Sequence, residues 1–202
     1  MTGPIRLLGA PTSAVGVRAE SVHSVRTPTG AVTGSSLTPL QDLAGTITPS
    51  DLHFERHHAG VPSIDPAKHG LLVHGLVERE TESSLEDIKR FPQVTRVHFI
   101  ECSGNGELAW RGGVFGVPNP GLTPQHVAGL TGNSEWTGVP LRVLLHEVGV
   151  KREAAWFLAE GGDACRLARS IPTAKAWDDA MVVWAQNGVA QLTLDDSKPF
   201  EG

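Results

Sequence analysis

The residue with the clearest potential for chemistry is Cys102, which ends an apolar run in the stretch VHFIECSGNGELAW, residues 97–110. Gly104 and Gly106 follow it, and glycine allows positive φ, so successive N–H groups can point into one concavity. A thiolate beside such donors can act as a nucleophile or as a metal ligand. The alternative interpretation is a buried structural cysteine before a turn, because free cysteine is among the most buried residue types.

A second cluster of reactive side chains is the stretch HFERHH, residues 53–58. The i, i+4 spacing of His53 and His57 would suit zinc on a helix, but the downstream prolines favour an extended segment. Histidines grouped around Arg56 suit a phosphate or a sulfur oxyanion better, and a solvated polar segment is the remaining interpretation. A Cys–His hydrolase also stays open, although no motif assigns its histidine or its oxyanion hole.

Composition limits the classes of function. The chain has 202 residues and a formal net charge of −5 with no Lys/Arg-rich run, which argues against nucleic acid as a partner. Cys102 and Cys165 make neither a disulfide framework nor a Cys-x-x-Cys pair, and Cys165 is interpreted as incidental. No apolar segment approaches the roughly 18 residues of a membrane span. The N-terminus shows no signal peptide, so a cytoplasmic location stays open.

The elements that must position these residues are strands mixed with short helices and no βαβ repeat, a pattern typical of an α+β fold. Strands are predicted over residues 71–77, 94–100, 155–161 and 181–186, and helices over 83–91, 140–148 and 170–177. Ser83 with Glu86 is the predicted capping box of the first helix, and Ser170 is the predicted cap of the last. Asn187–Gly188 predicts a hairpin turn.

Several segments, taken in order, resemble the molybdopterin-binding domain of the sulfite oxidase family. LTPLQDLAGTITPSDLHFERHHAGVPSIDPAKHGLLVHGLV resembles the start of that domain, and HFIECSGNG resembles its molybdenum–cysteine motif. SEWTGVPLRVLLHEVGV and SIPTAKAWDDAMVVWAQNG resemble the segments that follow. The resemblance runs from about residue 36 to residue 188 and is greatest to the SoxC branch, the molybdoprotein subunits of sulfane dehydrogenases in thiosulfate oxidation.

The resemblance implies a mixed-sheet molybdopterin-binding fold and a Mo-molybdopterin cofactor. It also implies oxidation of sulfite or protein-bound sulfane by oxo transfer in the periplasm, with a c-type cytochrome as electron acceptor and a sulfur carrier protein or a small sulfur oxyanion as the substrate partner. Cys102 would be the molybdenum ligand, because a soft thiolate suits this metal. Arg56, Trp136 and Trp184 would join it in the substrate pocket. The implied cofactor-binding residues are Phe54, Arg56, His57, His58, Cys102, Ser103, Asn105 and Asp163.

Three departures from the family pattern affect these expectations. Gly106 and Glu107 occupy the place of a substrate arginine, and an acid there would repel free sulfite and favour a sulfane on a carrier protein. Trp184 replaces a tyrosine, and its indole N–H is its only donor. Residues 189–202 do not resemble the further pterin contacts and the dimer domain of the family.

The expected organisation is therefore a flexible leader over residues 1–36, a partial molybdopterin domain over 37–188 and a divergent tail over 189–202. On this interpretation the gene product is truncated and homodimerisation is doubtful. The alternative to an enzyme is a cofactor-free, inactive remnant or binding module of the same family.

Overall fold

The computed structural model describes residues 29–30, 32–62, 64–111, 121–162 and 164–190. Its strands are β1 (Gly34–Ser36), β2 (Glu55–His57), β3 (Gly70–Val73), β4 (Thr81–Ser84), β5 (Val94–Glu101), β6 (Thr131–Pro140), β7 (Trp156–Glu160), β8 (Ala168–Pro172), β9 (Met181–Gln186) and β10 (Val189–Ala190). Its α-helices are α1 (Leu85–Lys89), α2 (Glu107–Arg111), α3 (Pro124–Ala128), α4 (Leu141–Val148) and α5 (Thr173–Asp178). This confirms the α+β class. Within the described ranges, every helix is too short or too polar to cross a bilayer.

The largest sheet has four strands in the order β10-β9-β6-β5. β5 pairs with β6 from Val94↔Gly138 to Glu101↔Thr131, and β6 pairs with β9 across a register shift between Thr137 and Gly138. The other three sheets have two strands each and are β1–β2, β3–β4 and β7–β8. All strand pairs in the described part of the chain are antiparallel. The fold therefore mixes helices with strands, whereas the sheets themselves do not mix parallel with antiparallel pairs.

The hydrophobic core lies between the large sheet and helices α1 and α4. Val139 is fully buried, and Trp184 and Leu144 are in the same cluster of buried side chains as Leu85 and Ile88. Burial of each such side chain contributes about 1.5–3 kcal/mol relative to an exposed one. The core therefore anchors β6, and β6 in turn holds β5, the strand that leads to Cys102.

Several local predictions are confirmed. The predicted strand over 94–100 is β5, and the predicted helix over 140–148 is α4, which ends at Gly149 in the left-handed region with φ 67°. Asn187 and Gly188 have φ values of 51° and 76°, as a two-residue hairpin turn between β9 and β10 requires. The start of the first sheet lies earlier than expected, because β1 falls inside the segment assigned to the leader. Most of that segment, residues 1–28, and the tail residues 191–202 lie outside the described ranges.

Two helix starts are wrong in the sequence-based interpretation. Helix α1 is capped by Ser84 with Asp87, one residue later than expected, because the β3–β4 ladder continues past Ser83 to Ser84, opposite Gly70, and the helix begins only after this last strand residue. The helix predicted over 170–177 begins only at Thr173. Ser170 instead belongs to β8, opposite Leu158 of β7. In both cases a strand pairing over a distance in sequence determines where the helix begins.

Replacing Ser84 with alanine is expected to lower the free energy of unfolding by about 1 kcal/mol, because the cap of α1 is lost. Ser84 Oγ donates to Asp87 Oδ2 (2.6 Å) and accepts from the Asp87 N–H (3.2 Å). The Ser84 hydroxyl and the Ser84 N–H (3.2 Å) both donate to Asp87 Oδ2, and these two bonds hold the pKa of Asp87 below its usual range. The stabilisation is therefore complete above the unfolded pKa and is lost as the pH falls through the lowered folded value.

Urea unfolding at pH 7 and at pH 3 measures both effects, with Ser83→Ala as the matched control. An equal loss in the two variants would show that Ser84 does not cap the helix.

Candidate functional site

Cys102 directly follows β5 and opens a turn over residues 103–106. Its N–H donates to the carbonyl of Leu130 (3.0 Å), and its own carbonyl accepts from the Asn105 N–H (2.8 Å). The Gly104 N–H points back at Cys102 Sγ at 3.4 Å, a donor of the kind that stabilises a thiolate. The side chain is half-buried, so the sulfur lies at the rim of the sheet and is not enclosed in the core.

Asn105 braces this turn from both sides. Its Oδ1 accepts from the Leu130 N–H (3.1 Å), and its Nδ2 donates to Glu101 Oε1 (2.7 Å). Gly106, with φ 84°, donates its N–H to the carbonyl of Val127 in α3 (2.7 Å). We call this turn the Cys102 loop (residues 102–106). It is hydrogen-bonded to α3 and to the segment between α3 and β6.

Replacing Asn105 with alanine is expected to loosen the Cys102 loop and leave the Leu130 N–H without its acceptor. Loss of one partner of a shielded hydrogen bond costs about 1–3 kcal/mol. We expect a lower unfolding midpoint and faster exchange of the amide hydrogens of residues 102–106, measured by hydrogen exchange. Glu101→Gln is the control, because it removes charge but keeps an acceptor for Asn105. Unchanged exchange in the alanine variant would contradict this role.

Arg56 and His57 lie on β2, which pairs with β1. Arg56 Nη1 donates to the carbonyls of Gly34 (3.2 Å) and of His57. Both of these bonds, within the described part of the chain, use Nη1 of a guanidinium that carries five N–H donors. His57 Nε2 lies 2.9 Å from Glu55 Oε2, with both side chains 14% exposed. Both groups are therefore positioned by neighbours on their own sheet.

The extended structure of this segment contradicts the zinc alternative that needs a helix. His53 is buried and its ring stacks on Phe54, with centroids 4.8 Å apart. It also meets Trp136 edge-on at 5.9 Å. A Cβ on Gly132 would lie 2.5 Å from His53 Cδ2, so glycine at this position lets the ring lie against β6. Among the described residues, no group of three or more His, Cys, Asp or Glu side chains could hold a metal ion.

The two tryptophans of the predicted pocket lie on adjacent strands. Trp136 is buried on β6, and its indole N–H donates to the carbonyl of His98 on β5 (3.0 Å). Trp184 is buried on β9 within the hydrophobic core cluster, and packing alone explains its burial. The pocket role of both side chains stays a prediction.

The remaining predicted cofactor residues differ in exposure. Phe54 is buried, whereas His58 and Ser103 expose their side chains. The carbonyl of His58 accepts from Thr33 Oγ1 (2.9 Å). Asp163 lies outside the described residues. The cofactor roles of these residues likewise stay predictions.

Sequence reasoning missed two buried hydroxyls, one on β1 and one shortly after it. Ser36 and Thr38 are 1% and 0% exposed, and neither hydroxyl has a hydrogen-bond partner in the described part of the chain. The Thr38 N–H donates to the carbonyl of Gly129, the residue before Leu130. No signal in the Ser/Thr-rich sequence around them distinguishes these two hydroxyls from solvated ones.

Comparison with known proteins agrees with this arrangement. The family model described as "Oxidoreductase molybdopterin binding domain" matches residues 58–200. The solved structure of the sulfane dehydrogenase SoxCD from Paracoccus pantotrophus is 37% identical with a TM-score of 0.78, and the match covers 91% of this chain and 48% of that one.

Sulfite oxidases and nitrate reductases are among the relatives of this chain. Mitochondrial sulfite oxidase of Drosophila melanogaster is 31% identical over 150 residues, which are 69% of this chain and 25% of the relative. The NADH nitrate reductase of Ulva prolifera is 31% identical over 121 residues, which are 54% of this chain and 12% of the relative. The chain thus spans about a quarter or less of these two relatives and about half of the solved one.

The family match covers more than half of the chain, and it includes the Cys102 loop and the strands that position it. This confirms the predicted fold and the predicted cofactor class, molybdopterin. The chain belongs to the family of oxidoreductase molybdopterin-binding domains.

Proposed function

We propose that this chain is a molybdenum-cofactor oxidoreductase domain that oxidises a sulfur substrate, either sulfite or protein-bound sulfane. Its electrons would pass to a c-type cytochrome, and its location would be the periplasm. The observation that carries the proposal is the likeness to sulfane dehydrogenase SoxCD over 91% of this chain. Nitrate reductases are also among the relatives, so the first test must distinguish oxidation of a sulfur compound from reduction of nitrate.

The residues present fit the cofactor. Cys102 offers a half-buried thiol at the rim of the sheet, with the Gly104 N–H directed at the sulfur. Arg56 and His57 would hold the anionic end of the pterin, and Cys102 would hold the metal.

When bound, the cofactor supplies transfer of one oxygen atom to the sulfur and takes up two electrons. The role of the chain is to bind and orient. Arg56, fixed by the carbonyls of Gly34 and His57, would present cationic N–H groups to an anionic substrate. Trp136, fixed by His98, would exclude water from one side of the site. The hydrogen bonds of Asn105 to Leu130 and Glu101 would keep Cys102 at a constant position.

Two exposed carboxylates flank the Cys102 loop and bear on the choice of sulfur substrate. Glu101 precedes Cys102 and Glu107 follows the loop, and both are exposed. Each would repel a free dianion, by about 2 kcal/mol at about 4 Å in water. This charge favours a sulfane presented on a carrier protein over free sulfite.

The test uses protein expressed in a host that makes the molybdenum cofactor. We expect about one molybdenum and one pterin per chain, reduction of cytochrome c with a sulfur substrate, and no turnover of nitrate with a reduced viologen dye. Nitrate turnover without sulfur oxidation would overturn the assignment of the substrate. Protein without molybdenum and without fluorescent pterin would identify the chain as the inactive remnant.

A further inference from the structure

The outer strand of the large sheet exposes two large apolar side chains. Within the described part of the chain, β5 has a strand partner on one side only, namely β6. Phe99 is 70% exposed and Val97 is 52% exposed. The two residues are two positions apart on β5, so their side chains share one face, and we call them the β5 patch. Apolar side chains exposed together on an edge strand indicate a surface that a partner covers.

Carboxylates flank the β5 patch on the same face. Val97 lies opposite Glu135 in the β5–β6 ladder, and residues directly opposite each other share a face. Glu101 follows Phe99 by two residues and therefore lies on this face as well. Glu101 and Glu135 are both exposed. An apolar centre with an acidic rim is complementary to a protein whose contact surface is apolar at its centre and basic around it.

The helices of the core cover only the far end of this face. Val139 is fully buried with Leu85 of α1 and Leu144 of α4. The hydroxyls of Thr95 and Thr137, which are opposite each other in the ladder, are 2.9 Å apart and come next along the face. Beyond this pair, in the direction of Cys102, the described part of the chain leaves the β5 patch open.

The β5 patch is also close to the proposed metal ligand. Phe99 precedes Cys102 by three residues, and β5 continues to the residue before the cysteine. Three residues of extended strand span about 10 Å. Because the rate of electron transfer falls steeply with distance, an acceptor of electrons from a metal on Cys102 must dock nearby. Redox partners form small, transient contacts, so a compact patch is sufficient.

We propose that the β5 patch is the docking surface for the electron acceptor, a c-type cytochrome with a basic contact surface. This inference rests on the proposed function. The apolar centre would pack against the cytochrome, and Glu101 and Glu135 would attract the lysines and arginines around its contact surface. Two encounters, each reducing one ferric haem to the ferrous state, remove the two electrons that oxidation of the sulfur delivers.

The test measures binding of a basic c-type cytochrome to the purified chain by titration calorimetry, at low salt and at about 0.5 M salt. Phe99→Ser and Glu135→Gln are the patch variants. Leu158→Ser is the matched control, because Leu158 is 65% exposed on β7, which belongs to a separate sheet. Stopped-flow measurements then follow reoxidation of the reduced, cofactor-loaded protein by the same cytochrome and by ferricyanide, a small ion that needs no apolar docking surface.

Phe99→Ser is expected to weaken cytochrome binding roughly tenfold and to slow reoxidation by the cytochrome, with reoxidation by ferricyanide unchanged. Glu135→Gln should weaken binding about threefold at low salt and have no effect at high salt, because salt screens exposed charges. Leu158→Ser should behave as the wild type does in both measurements.

Absence of cytochrome binding by the wild type, or equal binding by the wild type and Phe99→Ser, would overturn the inference and leave the proposed function intact. Equal slowing with both acceptors would also overturn it, since Phe99 would then act on the site itself. A wild-type dimer in ultracentrifugation that Phe99→Ser dissociates would assign the β5 patch to a second copy of the chain instead. A wild type without molybdenum would overturn the proposed function and this inference together.

Discussion

Replacement of Cys102 with serine is expected to abolish sulfur oxidation while leaving the fold intact. Serine differs from cysteine by one atom, and the main-chain bonds of residue 102 to Leu130 and Asn105 remain. A hydroxyl stays protonated near neutral pH and is a hard ligand, whereas a soft thiolate suits this metal. The pterin would still carry the metal, so we expect turnover per bound molybdenum to fall by about a hundredfold or more.

Cytochrome c reduction, divided by the molybdenum content from elemental analysis, measures this loss, and circular dichroism with thermal unfolding confirms that the variant is folded. Cys165→Ser is the matched control, because that cysteine is also free and half-buried but lies in the loop between β7 and β8. It should keep the turnover of the wild type. A Cys102→Ser protein that retains a full complement of molybdenum and turns over substrate would contradict the assignment of Cys102 as the ligand.

Replacement of Gly138 with alanine is expected to cause the largest loss of stability, about 3 kcal/mol or more. A Cβ at this position would lie 2.1 Å from the carbonyl oxygen of Val182 and 2.7 Å from the Cα of Val183. Both are backbone atoms of β9, and backbone in a sheet cannot move aside as the end of a flexible side chain can. The clash falls where β6 changes register against β9, next to fully buried Val139.

Chemical denaturation measures the effect, with Gly162→Ala as the control. A Cβ at Gly162 would meet nothing within 4 Å, so that variant should unfold within about 0.5 kcal/mol of the wild type. Equal stability of the two variants would show that β6 and β9 do not approach as closely as described. A loss at Gly138 alone would confirm that the β6–β9 pair supports the strand carrying Cys102.

Local sequence patterns were sufficient for several elements around the site. The alternation in VTRVHFI predicts β5, and the glycines after Cys102 predict the turn in which Gly104 and Gly106 lie. The Asn187–Gly188 pair predicts the hairpin after β9. These features depend on the conformational preferences of residues that are neighbours in sequence, so a short stretch of sequence is enough to predict them.

Other local patterns were outweighed by pairing between distant segments. Ser170 resembles a helix cap, yet it lies opposite Leu158 in the β7–β8 hairpin. Ser83 begins a capping box in sequence, yet the β3–β4 ladder continues past it to Ser84, opposite Gly70, and Ser84 as the last strand residue is the cap. A ladder of backbone hydrogen bonds outweighs the small preference of one serine for a cap. The register of the ladder depends on both strands, so it cannot be predicted from a short stretch of sequence.

The sequence by itself determined that a cysteine lies at the end of a strand, followed by a glycine turn, and that an arginine and histidines lie on an extended segment. Only the tertiary structure decided what surrounds them. Thr38 meets Gly129 across 91 residues, and His53 lies over Gly132 across 79, so their burial depends on long-range approach. A buried hydroxyl and a solvated one look identical in sequence, because burial is a property of the packed chain and not of the residue.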